Sequence, residues 1–116
     1  MSLALIVHGG AGNIALENVE PHRRGVEIAA RAGWDVLQRG GNAIDAVQAA
    51  IIVMEDDPAF DAGTGSYLNR DGVVEMDASL MDGRTLDAGA VAGIQRIKNP
   101  IRLARQVMAS PYTFLI

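Results

Sequence analysis

The sequence contains no cysteine. Disulfides and thiolate metal sites are therefore excluded. Histidine is scarce as well. His8 and His22 are the two present, and they are neither at metal-ligand spacing nor evidently paired. Basic residues are not in excess: 10 against 14 acidic, a net charge of −4, which points to neither nucleic acid nor an anionic membrane as partner. No apolar run approaches the length of a membrane span. The N-terminal residues Met1–Val7 lack a basic n-region and are too short for a signal h-region. A soluble cytoplasmic protein is the expectation. Aromatic residues make up only 4% of the chain while Gly alone contributes 13 residues, a balance that points to close helix packing and tight turns. Internal repeats, linkers and low-complexity segments are absent from the sequence.

Several catalytic signatures are missing too. His8 followed by Gly9-Gly10-Ala11-Gly12 is similar to the oxyanion loop of esterases. That loop works with a serine in a G-x-S-x-G turn. Gly65-Ser66-Tyr67 lacks the flanking pattern. The glycine runs fit neither the dinucleotide fingerprint nor the P-loop. The acidic run Glu55-Asp56-Asp57 does not match a calcium loop. His8, at the end of an apolar run, reads as a hydrogen-bonded structural histidine. The residues alone show no complete catalytic constellation.

What is present is one domain's worth of patterned chain: 116 residues, 49% hydrophobic and 21% charged. It is organised around Phe60–Gly83. Gly63, Thr64 and Gly65 permit a sharp turn. Ser66–Asn69 and Val73–Leu80 are expected to form a hairpin across Arg70-Asp71-Gly72. Alternation puts Glu75, Asp77 and Ser79 on one strand face and Val74, Met76, Ala78 and Leu80 on the other. The polar face reads as solvated; the alternative is a polar surface beside a site.

Around this unit, Leu3–Val7 reads as a buried strand. Asn13–Glu20 reads as loop, Pro21 suits a first helical turn, and His22–Arg39 reads as a helix ended by Gly40-Gly41. Asn42 caps a second helix over Ala43–Met54, apolar nearly all round and broken by Glu55-Asp56-Asp57-Pro58. Ala88–Ile97 reads as a small-residue strand, Ile101–Ala109 as a third helix, and Tyr112–Ile116 as a last strand. The class is α+β.

Six segments in this order resemble the N-terminal portion of the plant-type L-asparaginase/isoaspartyl peptidase family of N-terminal nucleophile hydrolases. They are H-G-G-A-G at 8–12, G-G-N-A-I-D-A-V at 40–47, M-E-D-D-P-A-F-D-A-G-T-G at 54–65, E-M-D-A-S-L-M-D-G at 75–83, G-A-V-A-G-I at 89–94 and N-P-I-R-L-A-R-Q-V-M at 99–108. The resemblance implies part of a four-layer αββα sandwich, incomplete over residues 1–116, and a precursor that cuts itself before a threonine. That threonine's α-amine would then serve as base for its own hydroxyl. The nucleophile is expected in a G-T-x-G-A-V-A-type segment beyond residue 116, with the substrate-carboxylate arginine and the oxyanion donors. Gly89–Gly93 echoes that segment, but Ala88 precedes it, and Thr64 is not matched to the nucleophile.

No catalytic residue is therefore expected within these residues. The resemblance implies a supporting loop near the active site, His8, Gly9, Gly10, Ala11 and Gly12, together with Asp61. The family commonly has Asn at Asp61, and His where this chain has Tyr112. It also implies a structural sodium ion, and no other cofactor, held by the backbone carbonyls of Met54, Glu55, Asp57, Phe60, Ala62 and Thr64. Expected partners are L-asparagine or a β-aspartyl dipeptide as substrate, the β subunit from the remainder of the precursor, and a second αβ unit in a homodimer. Residues 1–116 are expected not to be stable alone. The alternatives are a glycosylasparaginase-like amidase, and a non-catalytic fragment or inactive homologue acting as a structural partner.

Overall fold

A computed structural model of the protein describes residues 2–112. Its elements are α1 (Leu16–Gln38), α2 (Ala43–Asp56), β1 (Met76–Met81), β2 (Ala88–Ile94) and α3 (Pro100–Ala109). The α+β class expected from the sequence is present over these residues.

Helix α1 starts a turn and a half before Pro21, inside the stretch expected to be loop. No side chain caps it at Ala15, and its first turn closes through Asn18 N–H donating to the Ala15 carbonyl at 2.8 Å. Pro21 forfeits one i→i−4 bond near the helix start, and the Asn18 carbonyl one turn above takes the His22 ring Nδ1 at 2.8 Å. Without a cap, and with a proline ahead, the sequence carried no start signal at Leu16. Helix α2 does begin where its cap predicts: Asn42 Oδ1 accepts the Asp45 N–H at 2.8 Å. It runs through Glu55 to Asp56, two residues past the expected break. The acidic run does not end it, because Glu55 is turned inward; Pro58 follows the true end.

The expected hairpin over Ser66–Leu80 shrinks to a single bridge, Leu68↔Val74. Its turn is real: Asn69 Oδ1 accepts the N–H groups of Asp71 and Val73 at 2.9 and 3.0 Å, and Gly72 has φ +74. The first strand fails because the Tyr67 N–H donates to the Asp61 side chain at 2.9 Å and not to a ladder partner. The actual sheet pairs β1 with β2, antiparallel, from Met76↔Ile94 to Met81↔Ala88. Burial along β1 alternates as expected, with Asp77 and Ser79 exposed and Met76 and Leu80 buried. The register is irregular between Met76 and Ala78. There Gly93, at φ +67, donates its N–H to Asp77 Oδ1 at 2.9 Å, so a side chain replaces a ladder carbonyl.

Three other expectations change. The small-residue strand ends at Ile94, three residues early, and Thr85–Asp87 belongs to the turn between β1 and β2. Leu3–Val7 is not part of a sheet among the described residues. Leu5 and Val7 are half-buried and Ile6 is 95% exposed, so the segment has a strand's alternation without a strand's partner. Of the segment Tyr112–Ile116, Tyr112 lies in an exposed bend and the rest is outside the described residues.

The core lies where α3 covers the sheet. Ile44, Leu80, Val91, Ile101, Ala104 and Val107 form it, with Ile51 and Ile52 of α2 against its edge. Arg105 ties α3 to α2, donating to Asp45 at 2.6 Å and to Gln48 at 3.2 Å. Both ends of that ion pair are over a third exposed, so it orients more than it stabilises. The close approach of α3 is set by Gly89. A Cβ there would strike the Ala104 carbonyl and the Met108 amide, both rigid helix backbone. Gly89→Ala is expected to cost about 1–3 kcal/mol by overpacking. Urea unfolding of the full-length protein measures it, and an unchanged midpoint would mean that α3 does not pack this tightly.

Candidate functional site

Two glycine-shaped loops, far apart in sequence, meet across an open cavity of about 620 Å³. Gly9, Gly10, Ala11 and Gly12 form one wall. Pro58, Ala59, Asp61, Gly65 and Tyr67 form the other, and Asn18 and His22 of α1 lie between them. The walls are joined by Phe60, which is 4% exposed. A Cβ on Gly9 would come within 3.0 Å of the Phe60 ring and 2.6 Å of Val26, so the first loop is seated on that ring and on α1. His22 meets the same ring edge-on, with centroids 5.3 Å apart.

Each expected site residue has a definite place. Gly9–Gly12 and Asp61 come together in the cavity. The His8 side chain is not among its lining groups; its Nδ1 accepts the Gly10 N–H at 3.3 Å, the hydrogen-bonded structural role that the sequence suggests. Gly10 has φ +110, which only glycine adopts cheaply. Asp61 is exposed, and its Oδ1 accepts the Tyr67 N–H. An asparagine at this position would also offer a side-chain oxygen, so this bond needs no charge. Thr64 faces away, toward a separate cavity of about 310 Å³ beside Gln95 and Lys98.

The turn from Met54 to Thr64 is closed by backbone hydrogen bonds. Glu55 O accepts the Thr64 N–H at 2.8 Å, and Asp57 O accepts the Phe60 N–H at 3.2 Å. A Cβ on Gly65 would collide with the carbonyls of Pro58 and Phe60, and one on Gly63 with that of Glu55. Only glycine leaves these oxygens room. No group of three or more His, Asp or Glu side chains among the described residues is placed to hold a metal ion. The main-chain oxygens of this turn are of the donor type that hard cations favour.

Two contributors to the cavity, His22 and Tyr67, were not visible in the sequence, nor was the burial of the Glu55 side chain behind it. Glu55 is 2% exposed, and burial pushes its carboxyl above the usual range, partly offset by the Ile101 N–H it accepts at 2.9 Å. One signal could have found it. Ile44, Ile51, Ile52 and Glu55 fall at spacings of 7, 8 and 11, on one helix face. Neighbouring Asp56 is held below the usual range by the Asn99 side chain and then by Lys98.

Residues 1–115 match the family model described as asparaginase. That puts the chain in the asparaginase family. Curated relatives agree. The chain is 58% identical over 104 residues to the isoaspartyl peptidase/L-asparaginase of Danio rerio, covering 90% of this chain and 34% of that one. It is 51% identical over 117 positions to the protein of that name from Homo sapiens, covering 99% of this chain and 38% of that one. It is 58% identical over 107 residues to the plant-type L-asparaginase of Pyrococcus abyssi, covering 91% and 35%. The chain belongs to the isoaspartyl peptidase/L-asparaginase family, and it spans a little over a third of the length of these relatives.

Phe60→Ala is expected to cost about 3–5 kcal/mol, as for a buried aromatic truncated in place. It should loosen both walls together. Amide exchange in the full-length protein reads this out: faster exchange in only one of the two loops would show that the ring does not couple them.

Proposed function

We propose that these residues are the N-terminal, α-subunit part of an enzyme that hydrolyses the side-chain amide of L-asparagine, the β-aspartyl peptide bond, or both. The supporting observation is the convergence of the Gly9–Gly12 loop and Asp61 on one cavity, within a chain of this family. In this reading the enzyme is made as a precursor and cuts itself before a threonine lying beyond residue 116. That threonine's hydroxyl attacks the amide carbonyl and its own α-amine takes the proton, so hydrolysis is split into acylation and deacylation.

This chain's residues act around that centre. The Gly9–Gly12 backbone shapes the space in which the threonine loop packs. Asp61 puts a carboxylate at the cavity wall, with Oδ1 already committed to Tyr67. His22 donates through Nδ1 to the Asn18 carbonyl at 2.8 Å, which holds its ring at the cavity between the two walls. The partners proposed are the small-molecule substrate, the β subunit, and a second αβ unit. The location proposed is the cytoplasm. None of the described helices is long and apolar enough to cross a membrane.

The same reading includes a structural sodium ion in the Met54–Thr64 turn. Its ligands would be the backbone carbonyls of Met54, Glu55, Asp57, Phe60, Ala62 and Thr64. The fit is supported by the oxygens of Glu55 and Phe60, which face space that a Cβ at Gly63 or Gly65 would fill. Bound there, the ion would supply charge that holds the turn closed.

Two measurements test these readings. The full-length protein is expected to release ammonia from L-asparagine or aspartate from a β-aspartyl dipeptide, and residues 1–116 alone to do neither. Turnover by the short stretch above a buffer blank would contradict a nucleophile outside it. Exchanging sodium for tetramethylammonium at constant ionic strength is expected to lower the unfolding temperature of the full-length protein. An unchanged temperature counts against the ion.

A further inference from the structure

Glu55 carries a buried carboxyl that takes no part in the proposed chemistry. It is 2% exposed, at the C-terminal end of a largely apolar helix. Taking such a group out of water costs several kcal/mol unless its bonds compensate. Its bonds run in two directions. Through the side chain, Oε1 accepts the Ile101 N–H at 2.9 Å, in the first turn of α3. Through the backbone, its carbonyl accepts the Thr64 N–H at 2.8 Å, and Gly63 is pressed against the same carbonyl. Oε2 is buried without a partner.

One residue therefore touches three bodies: α2, which carries it; α3, which lies over the sheet; and the turn whose far wall presents Asp61 to the cavity. The pair Asp56–Asn99, with its 3.0 Å bond, lies beside this junction but reaches only α2 and the residue before α3. We propose that Glu55 is a positioning residue. Its side chain fixes the end of α2 against α3, and its carbonyl carries that position to the 57–65 turn, which sets where Asp61 stands. A leucine or methionine would fill the same volume without a desolvation cost. Glu is needed only if the tether to the Ile101 N–H matters more than apolar packing. The kinetic part of the test rests on the amidase reading above; the exchange part does not.

The test uses the full-length protein with Glu55→Gln and Glu55→Met. Gln keeps an oxygen for the Ile101 N–H. Met keeps the volume, offers no such acceptor, and is expected to fold. Amide exchange at Thr64 and Tyr67 is read relative to Ala50 in mid-α2, which removes any change in global stability. In the Met variant both ratios should rise about tenfold, the scale of one lost buried hydrogen bond, and in the Gln variant by less than about threefold. Turnover should follow, with kcat down about tenfold in Met, largely restored in Gln, and KM nearly unchanged, as for a misplaced supporting group. Ratios in the Met variant equal to wild type would reduce Glu55 to a helix cap and overturn the proposal. So would a Gln variant as loose as the Met one. If the wild-type protein shows no amide turnover, the proposed activity falls, and the exchange ratios alone decide on Glu55.

Discussion

The cavity side of the molecule depends on one ring contact. Phe60 lies on Gly9, on Gly25 of α1 and against the edge of His22. Each neighbour is small or flat where the ring touches it. Gly25 in particular has no room for a Cβ beside the ring. The contact joins a loop near residue 10 to a turn near residue 60 through a helix between them. The turn has hydrogen bonds of its own, but among the described residues none joins it to the Gly9–Gly12 loop. Their mutual position is therefore a packing result, and it is as stiff as the packing is dense.

On the opposite side the governing contact is of another kind. There α3 lies on a two-stranded sheet, and two strands alone are marginal in water. The helix supplies the missing face through Ile101, Ala104 and Val107, all nearly inaccessible. Between the two sides stands α2, with Ile44 in the sheet core and Glu55 at the junction with the turn. The molecule thus has one apolar centre and one glycine-built flank, and α2 spans both.

Legibility in the sequence followed the range of the interactions. Asn42 capping α2 and the Arg70-Asp71-Gly72 turn are local devices, and each was readable from a few neighbouring residues. The alternation on β1 was readable for the same reason. Errors arose where a distant partner intervened. Ser66–Asn69 failed as a strand because Asp61 took the Tyr67 N–H. The helix break expected at Glu55 moved because Ile101, 46 residues on, gave its carboxyl a place indoors. Leu3–Val7 shows the reverse case, with a strand's pattern and no ladder among the described residues. Within the site, glycine spacing and family resemblance brought forward Gly9–Gly12 and Asp61. His22 was set aside because its value lies in contacts with Asn18 and Phe60 that no spacing rule encodes.

The turn joining β1 to β2 holds Leu86 at φ +65, two-thirds exposed to solvent. A branched residue in the left-handed region costs on the order of 1–2 kcal/mol. The turn is otherwise well made: Asp82 accepts the Leu86 and Arg84 N–H groups, and its own N–H returns to the Asp87 carbonyl. The strain is therefore local and unshared. Stability lies unclaimed at this position, open to a single change to glycine or asparagine. A laboratory seeking a hardier form of the protein could begin here, at a residue that does not line the cavity.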